Sequence, residues 1–341
     1  MPPLPTFEGN SCRPFEIIGL DYFGPVLVKL EDNTHIKIKK WVCLFTCLAT
    51  RNIHLEVVHD MSTVNFLNSF RRFIALRSQP RIIYSDNATQ FRAANKTLAQ
   101  LWNKLIVDQE LCTYYANQGI IWRFITEYAP WQGVYYERLI GIVKLALQKT
   151  IGRKVLNFAE FRTLIYEVVA IVNSRPLTYV YDEPTSPIIR PMDFLQLGGP
   201  TGLIPVGTFE DPDYILPQEG KELFNLFKGN LALTDAYWEV FKEEYLLSLR
   251  EQQTMLHEGD KQTTHTLPKP DDTVLVKELD LRRGEWKMGR IKAIKKRNNG
   301  YIKSITVILP NQRLVERSSN VLYPLECAFI AKSEDSIFSY C

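Results

Sequence analysis

The chain has 341 residues, of which 45% are hydrophobic and 12% aromatic; this is enough to build a substantial core and excludes wholesale disorder. At roughly 150 residues per domain, the length predicts about two domains. The net charge is only +3, with 41 Lys and Arg against 38 Asp and Glu, and such a balance by itself argues against a polyanionic partner.

The charges are unevenly distributed along the chain. Residues 210–260 hold 12 acidic and 4 basic side chains, whereas residues 277–317 hold 12 basic and 4 acidic ones. The average near zero therefore hides an acidic block followed by a basic block. The basic block is the part of the chain that is suited to meet a polyanion.

Six cysteines are scattered along the chain without a dense framework, which favours an intracellular reducing compartment over a secreted disulfide scaffold. Cys43 and Cys47 lie in an apolar, strand-like run, which favours buried structural thiols over a metal site. No histidine completes a zinc set with them, so we expect no zinc. No apolar run approaches the roughly 20 residues of a membrane span, and the start lacks an apolar signal region; we expect no membrane contact.

Hydrophobic periodicity predicts an α/β domain over residues 1–178. Three strand-like runs come first, followed by a helix for which Ser62 is a plausible N-cap. Two short buried strands with a helix between them come next, and two longer helices close the domain. The strands are predicted at 15–28, 40–50, 52–58, 81–84 and 120–125, and the periodic helices at 62–76, 134–150 and 158–172.

The chain changes character after residue 178. Residues 179–228 are rich in Pro and Gly and have little periodicity, which predicts a linker or extended arm. Residues 229–260 resume a helical period and are predicted to form a connector helix. Residues 268–326 contain short strand-like runs separated by turns, which predicts a small, basic, strongly bent β-barrel or sheet.

Three acidic residues stand out by their positions. Asp21 lies inside the first predicted strand between apolar residues, where an isolated carboxylate is costly to bury unless it is paired or bound to a metal. Asp86 directly follows the fourth strand, and Glu137 lies early in a long helix. Taken singly, each has an ordinary interpretation: an edge-strand acid, a helix N-cap, and a first-turn acid favoured by the helix dipole.

Taken together, the three carboxylates predict a metal site. A cluster drawn from two strands and a helix can hold two divalent ions, and hard oxygen ligands suit Mg²⁺ or Mn²⁺. Two such ions stabilise the attacking and leaving oxygens of an in-line phosphoryl displacement, so that no side-chain nucleophile is needed. No competing Ser/His/Asp or Cys/His nucleophile set is evident in the sequence.

Several motifs carry a resemblance to a known family. RPFEIIGLDYFGP, LFTCLATRNIHLEVV, FLNSFRRFIALRSQPRIIYSDNATQF, WRFITEYAPWQGVYYERLIGIVKLAL and LIYEVVAIVNSRPLT resemble the catalytic core of retroviral and LTR-retrotransposon integrases, specifically the BEL/Pao group, from about Leu4 to Leu195. The later segments DAYWEVFKEEYLLSLR, DDTVLVKEL, RRGEWKMGRIKAIKK and NNGYIKSITV resemble the domain that follows the integrase core in BEL/Pao polyproteins.

The resemblance implies an RNase H-like α/β core, with a mixed sheet flanked by helices, followed by a helical connector and a small SH3-like β-barrel. It implies that Asp21, Asp86 and Glu137 form a catalytic triad that binds two Mg²⁺ or Mn²⁺ ions. The implied activity is 3′-end processing and strand transfer of double-stranded DNA, with element ends and target DNA as substrates. A homo-oligomer in the nucleus or cytoplasm is also implied.

Neighbouring residues gain DNA-binding roles from their positions in the family pattern. Asn87 matches the family's Asn beside the second aspartate. Trp131 and Gln132 lie before the helix, where the family contacts DNA, although Trp131 can equally be a packing residue. Lys144 follows Glu137 by two helical turns and therefore shares nearly the same face, where it would meet a DNA phosphate; the alternative is a solvated helix lysine.

The chain departs from the family at two glycine positions, where it has Ala88 and Val134. Glycine allows backbone conformations that these residues resist. No His/His/Cys/Cys zinc module precedes the core in this sequence. Two alternatives to an active integrase therefore stay open: a catalytically inactive, integrase-derived nucleic-acid-binding protein, and an RNase H-like nuclease that cuts without joining.

The basic block offers a second candidate DNA-binding surface. Its cations, with Trp286 and Tyr301 among them, lie on predicted strands and turns and can neutralise phosphates without reading sequence; the alternative is a solvated surface. Lys295 to Arg297 also resemble a weak nuclear signal. The candidate DNA contacts are Arg282, Arg283, Lys287, Arg290, Lys292, Lys295, Lys296 and Arg297.

Overall fold

The computed structural model describes residues 13–30, 35–86, 88–105, 120–124, 134–179, 188–196, 218–258, 268–279, 281–297 and 302–326. These residues form two compact units. The first unit contains the described residues up to 173 together with residues 218–237, and the second contains residues 174–196 and the described residues from 238 onward.

A mixed β-sheet forms the centre of the first unit. β1 (Ile17–Lys29), β2 (Lys37–Cys47) and β3 (Ile53–Val58) are antiparallel neighbours, and β4 (Ile82–Ser85) and β5 (Ile121–Phe124) continue the sheet in parallel on the other side of β1. The strand order is β3-β2-β1-β4-β5. The strands are rich in apolar residues because helices cover the faces of a sheet with parallel connections.

Four helices accompany this sheet and bury apolar stripes against it. They are α1 (Thr63–Arg77), α2 (Thr89–Leu105), α3 (Val134–Ile151) and α4 (Phe158–Asn173). The hydroxyl of Ser62 accepts the backbone N–H of Asn65 at 3.3 Å, which confirms the predicted N-cap of α1. Between α3 and α4, the short strand β6 (Leu156–Asn157) pairs with β1. The predicted α/β fold, a mixed sheet flanked by helices, is confirmed.

The side chain of Asn173 completes the hydrogen bonding of the edge strand β3. Its Nδ2 donates to the carbonyl of Ile53 at 2.9 Å, and its Oδ1 accepts the N–H of Ile53 at 2.8 Å. Both residues are buried, so water cannot replace these bonds. The last residue of α4 thereby satisfies a backbone donor and acceptor that have no neighbouring strand.

Replacing Asn173 with Ala is expected to lower the free energy of unfolding by about 3 kcal/mol, because a buried N–H and a buried C=O each lose their partner. Urea unfolding followed by circular dichroism measures this loss. Asn68→Ala removes the same amide from an exposed position on α1 and should change the stability by less than about 0.5 kcal/mol. Equal losses in the two variants would contradict the proposed role of Asn173.

Cys43 and Cys47 are free and buried, which confirms that they are structural thiols. Cys43 lies on β2 directly opposite Tyr22 of β1. Burial raises the pKa of the Cys43 thiol to about 12. Burial also raises the pKa of the Tyr22 phenol well above its ordinary value, so both groups are neutral over the ordinary pH range.

We therefore expect Cys43 to resist alkylation by iodoacetamide in the folded chain, because the thiolate is the reactive form. The labelling rate should stay low at mildly alkaline pH and rise only as the pH nears about 12. Peptide mass mapping, with and without concentrated guanidinium chloride, separates Cys43 from the other cysteines. Rapid labelling of Cys43 without denaturant would show that the thiol is accessible.

The helix that follows the predicted linker is longer than expected. α5 (Gln218–Glu258) is a single helix of 41 residues, so it starts inside the segment 179–228 and before the predicted start at residue 229. Its first part belongs to the first unit, where the hydroxyl of Thr234 donates to the carboxylate of Glu167 on α4. None of the helices over the described residues is both long and apolar enough to cross a membrane.

The second unit contains two sheets. The smaller one pairs β7 (Thr178–Tyr179) with β8 (Ile188–Ile189). The strands of the larger one are β9 (Thr273–Val276), β10 (Met288–Lys296), β11 (Ile302–Ile308), β12 (Leu314–Arg317) and β13 (Leu322–Pro324). Their order in the sheet is β12-β11-β10-β9-β13.

The expected closed SH3-like barrel is not confirmed, because the larger sheet is open. Among the described strands, β12 pairs only with β11 and β13 only with β9. These two edge strands have four and three residues, and one 3₁₀ turn, Ser319–Val321, connects them. Apolar side chains of β9, β10, β11 and β13 still form one core.

The second part of α5 packs on the second unit through aromatic and charged side chains. Trp286 contacts the rings of Trp238 and Tyr245 edge-on, with centroids 5.0 and 5.4 Å apart. Arg175 is fully buried, and its Nε donates to the carboxylate of Glu326 at 3.1 Å; the same carboxylate accepts the hydroxyl of Tyr245 at 2.9 Å. The buried guanidinium therefore has a charged partner, which burial requires.

Candidate functional site in the first unit

Asp21 and Asp86 lie on adjacent parallel strands at the same level. The register of β1 and β4 pairs Ile17 with Ile82 and ends at the pair Gly19 and Tyr84. If this register is continued by two residues, Asp21 on β1 lies opposite Asp86, which directly follows the last residue of β4. Neighbouring strands lie about 5 Å apart, so the two carboxylates arise from adjacent backbone positions.

Lys144 of α3 brings that helix to the same point of the sheet. Its Nζ donates to Oδ2 of Asp21 at 2.6 Å, with both side chains about one-third exposed. The other oxygen, Oδ1, accepts the backbone N–H of Tyr22 at 2.6 Å. The carboxylate that interrupts the apolar strand β1 is therefore satisfied by one ammonium and one amide, which lowers the cost of its partial burial.

Glu137 lies on α3, two helical turns before Lys144, and its Cα is therefore about 10 Å away along the helix axis. Residues seven apart lie within about 20° of one face, so Glu137 and Lys144 share a face of the helix. The side chain of Glu137 lies outside the described residues. Among the side chains that are described, no three His, Cys, Asp or Glu form a cluster that could hold a metal ion.

A chain of hydrogen bonds fixes the backbone at Asp86. The indole Nε1–H of Trp122 on β5 donates to Oγ of Ser85 at 2.8 Å, and this hydroxyl donates to the carbonyl of Asp86 at 2.9 Å. The carboxylate Oδ1 of Asp86 accepts the N–H of Ala88 at 3.1 Å. Asp86 itself is exposed whereas Ser85 is fully buried. Buried hydrogen bonds through Ser85 therefore hold the backbone of Asp86, and its carboxylate faces solvent.

An aromatic cluster lies beneath the two aspartates. Tyr22, the residue after Asp21, stacks on Phe91 of α2 with centroids 5.4 Å apart. Phe91 also contacts Phe66 edge-on at 5.2 Å and Trp122 at 6.1 Å. One helix side chain thus contacts both the strand of Asp21 and the strand that supports Asp86. No local sequence pattern marks Ser85, Phe91 or Trp122 as part of this site, because Trp122 contacts residues far away in the chain.

We expect the Trp122–Ser85 hydrogen bond to contribute a coupling free energy of about 1 kcal/mol. Trp122→Phe keeps an aromatic ring but removes the donor, and Ser85→Ala removes the acceptor. A double-mutant cycle on urea unfolding measures the coupling. In a control cycle, Trp122→Phe is combined with Thr150→Ala, which removes a buried hydroxyl bonded to Ala146 on α3, and its coupling should be near zero.

Several cations of the basic block in the second unit are held in ion pairs. Lys287 donates to both carboxylate oxygens of Glu278 at 2.7 Å. The Nζ of Lys295 lies 3.1 Å from a carboxylate oxygen of Glu316. The Nε of Arg290 lies 3.3 Å from a carboxylate oxygen of Asp271. These pairs reduce the positive charge that the block presents to solvent.

The other candidate contacts of this block differ in exposure. Arg283 is half-buried, and Trp286 packs against the aromatic side chains of α5. The exposed cations without an ion-pair partner among the described residues are Arg282, Lys292, Lys296 and Arg297. Lys292 occupies the irregularity in the pairing of β10 with β11. Asn87, Trp131, Gln132 and Tyr301 lie outside the described residues.

Comparison with protein-family models gives one match, a family of unknown function (DUF5641), over residues 226–325. This region covers the second part of the chain and less than half of its length. No curated protein sequence matches the chain.

Among solved structures, the HTLV-2 integrase catalytic core domain in complex with magnesium is 15% identical, covers 49% of this chain and 90% of its own, and superposes with a TM-score of 0.30. The catalytic core domain of BIV integrase is 14% identical over 47% and 84%, also with a TM-score of 0.30. The simian T-cell lymphotropic virus intasome in complex with the PP2A regulatory subunit B56 gamma is 12% identical over 95% and 84%, with a TM-score of 0.35. At these TM-scores the likenesses do not establish a shared fold.

Proposed function

We propose that the chain is an integrase-type polynucleotidyl transferase with an RNase H-like core, derived from a BEL/Pao-type retrotransposon. Its reaction is the metal-dependent cleavage and joining of DNA strands. The observation that carries this proposal is the common level of Asp21 and Asp86 on adjacent parallel strands. The ion pair from Lys144 to Asp21 supports it further, because it brings the helix of Glu137 to the same carboxylate.

The donor set fits divalent magnesium or manganese. Asp21 and Asp86 offer hard oxygen ligands from neighbouring strands, as these ions require, and Glu137 is the third candidate ligand. Two bound ions would supply charge stabilisation to the attacking and leaving oxygens of an in-line displacement at phosphorus. No residue of the chain then has to act as a covalent nucleophile.

The chain's own residues orient the substrate and hold charge. Asp21 is fixed by the N–H of Tyr22 and by Lys144, and Asp86 is supported from behind by Ser85. Because the ammonium group of Lys144 lies beside the Asp21 carboxylate, it is suited to contact a phosphate oxygen of the scissile strand. Such a charge-assisted contact is stronger than a neutral hydrogen bond.

The two departures from the family's glycines are compatible with this function. Val134 is the first residue of α3, and the helical backbone is a conformation that does not require glycine. Ala88 instead contributes its N–H to the carboxylate of Asp86. Alanine at this position therefore keeps a backbone hydrogen bond to the second aspartate.

We propose further that the exposed cations of β10 and its flanks bind the phosphates of double-stranded DNA without reading sequence. Lys292, Lys296 and Arg297 are exposed and support this role on an open sheet as they would on a closed barrel. Assembly as a homo-oligomer on paired DNA ends, and a nuclear or cytoplasmic location, belong to the same proposal.

Plasmid nicking and strand joining test the proposed activity. Supercoiled plasmid and a labelled duplex oligonucleotide are incubated with the full chain and Mg²⁺ or Mn²⁺, so that nicked plasmid reports cleavage and labelled plasmid reports joining. Asp21→Asn, Asp86→Asn and Glu137→Gln are each expected to reduce both products by about a hundredfold or more, since each removes a charge from the reacting centre.

Asp60→Asn is the matched control, because Asp60 is an exposed carboxylate of the same unit. It should retain wild-type activity. Nicking without labelled plasmid would favour the nuclease, and DNA binding without either product under both metals would favour the inactive binding protein. Wild-type activity in Asp86→Asn would exclude the triad.

A further inference from the structure

A cleft of about 780 Å³ opens in the first unit beside the carboxylate site. One wall is the second half of β1, from Tyr22 to Leu27, and the other is the last part of α3 with the turn that follows it. Lys144, which contacts Asp21, also lines this cleft. The cleft is therefore continuous with the site of the aspartates.

The rim of the cleft is cationic. Lys37 of β2 and Arg153 and Lys154 of the turn after α3 line it together with Lys144, and none of the described residues in its lining is acidic. Lys37, Arg153 and Lys154 are exposed, and their side chains have no hydrogen-bond or ion-pair partner among the described residues. Cations gathered around a concave surface of low polarity focus their potential on an anionic ligand.

The helix dipole explains only part of this arrangement. Arg153 and Lys154 directly follow the C-terminus of α3, where cations are favoured by the partial negative charge. Lys37 lies on a strand, and its neighbour across the ladder is Lys29 of β1, so the dipole gives no reason for a cation there. A ligand that carries several negative charges accounts for all three positions.

The floor of the cleft is apolar. Leu147 and Ile151 of α3 are buried, and Phe23 and Pro25 of β1 line the opposite side. A volume of this size is typical of sites for small ligands and is too small to enclose a nucleic-acid duplex. A positive rim above an apolar, partly aromatic floor is the arrangement that binds a single nucleic-acid strand by its phosphates and bases.

We infer that this cleft binds a single strand of nucleic acid that leads to the carboxylate site, with Lys37, Arg153 and Lys154 contacting successive phosphates. The inference deepens the proposed function, because it assigns the path of the substrate strand on one side of Asp21. Lys37 lies 116 positions before Arg153 in the sequence, and the pairing of β1 with β2 and the packing of α3 bring the two to the same cleft.

The test measures binding without catalysis. Anisotropy of a labelled single-stranded oligonucleotide is titrated with the full chain in EDTA over a series of salt concentrations. The salt slope of log K falls by about 0.7 for each single-strand phosphate contact that is lost. Lys37→Gln is therefore expected to lower the slope by about 0.7, and Arg153→Gln with Lys154→Gln by about 1.4.

A control pair, Arg71→Gln with Lys96→Gln, removes two exposed cations of the same unit that do not line the cleft. Its slope should match that of the wild type. If Arg153→Gln with Lys154→Gln, the cleft pair, gave the same salt slope as this control pair, the inference would be overturned. Competition by inorganic triphosphate that equals competition by the oligonucleotide, phosphate for phosphate, would also overturn it, because the site would then recognise charge alone.

The two proposals fail in distinguishable ways. If the plasmid assay shows no metal-dependent product but the cleft variants lower the salt slope as expected, the proposed reaction fails and the strand-binding cleft stands. If Asp86→Asn abolishes plasmid nicking but the cleft pair binds and nicks like the wild type, the reaction stands and the cleft assignment is wrong.

Discussion

The pairing of β1 with β4 is the interaction on which the rest of the first unit depends. β1 is antiparallel to β2 on one side and parallel to β4 on the other. Parallel neighbours require a crossover connection, and here the connection runs through β2, β3 and α1. A shift of one residue in this register would turn Asp86 toward the opposite face from Asp21, because side chains alternate along a strand. The site therefore exists only in the register that buries the apolar side chains of both strands.

The same constraint explains the supports around the aspartates. A carboxylate in the central strand of a sheet must find partners, and Asp21 has them in Lys144 and the N–H of Tyr22. Asp86, at the solvent-exposed end of β4, is instead held through its backbone by Ser85 and Trp122. One acid is thus compensated by charge and the other by exposure, and Phe91 packs between the two supports.

The sequence could predict features that depend on local pattern. The strand of Asp21, the turn at Asp86 and the helix of Glu137 follow from apolar periods and capping residues. The early start of α5 at Gln218 could not be predicted, since Gly and Pro in the preceding segment favour a linker and tertiary packing overrides weak local preference. The sequence also could not predict whether the larger sheet is open or closed, because short strands separated by turns are common to open sheets and barrels. The cleft could not be predicted either, because Lys37 and Arg153 line it together only after the chain has folded.

Charge counted along a sequence also differs from charge presented to a partner. Residues 277–317 carry a large excess of cations, but Lys277 pairs with Glu243 of the acidic block at 2.6 Å, and Lys287 pairs with Glu278. Part of the acidic block thus neutralises part of the basic block within the second unit. In the first unit, whose sequence shows no basic block, the described lining of one cleft contains four cations and no acid. Because steering of a polyanion depends on the local potential and not on the net charge, the net charge of +3 is compatible with the two nucleic-acid-binding surfaces that we propose, one in each unit.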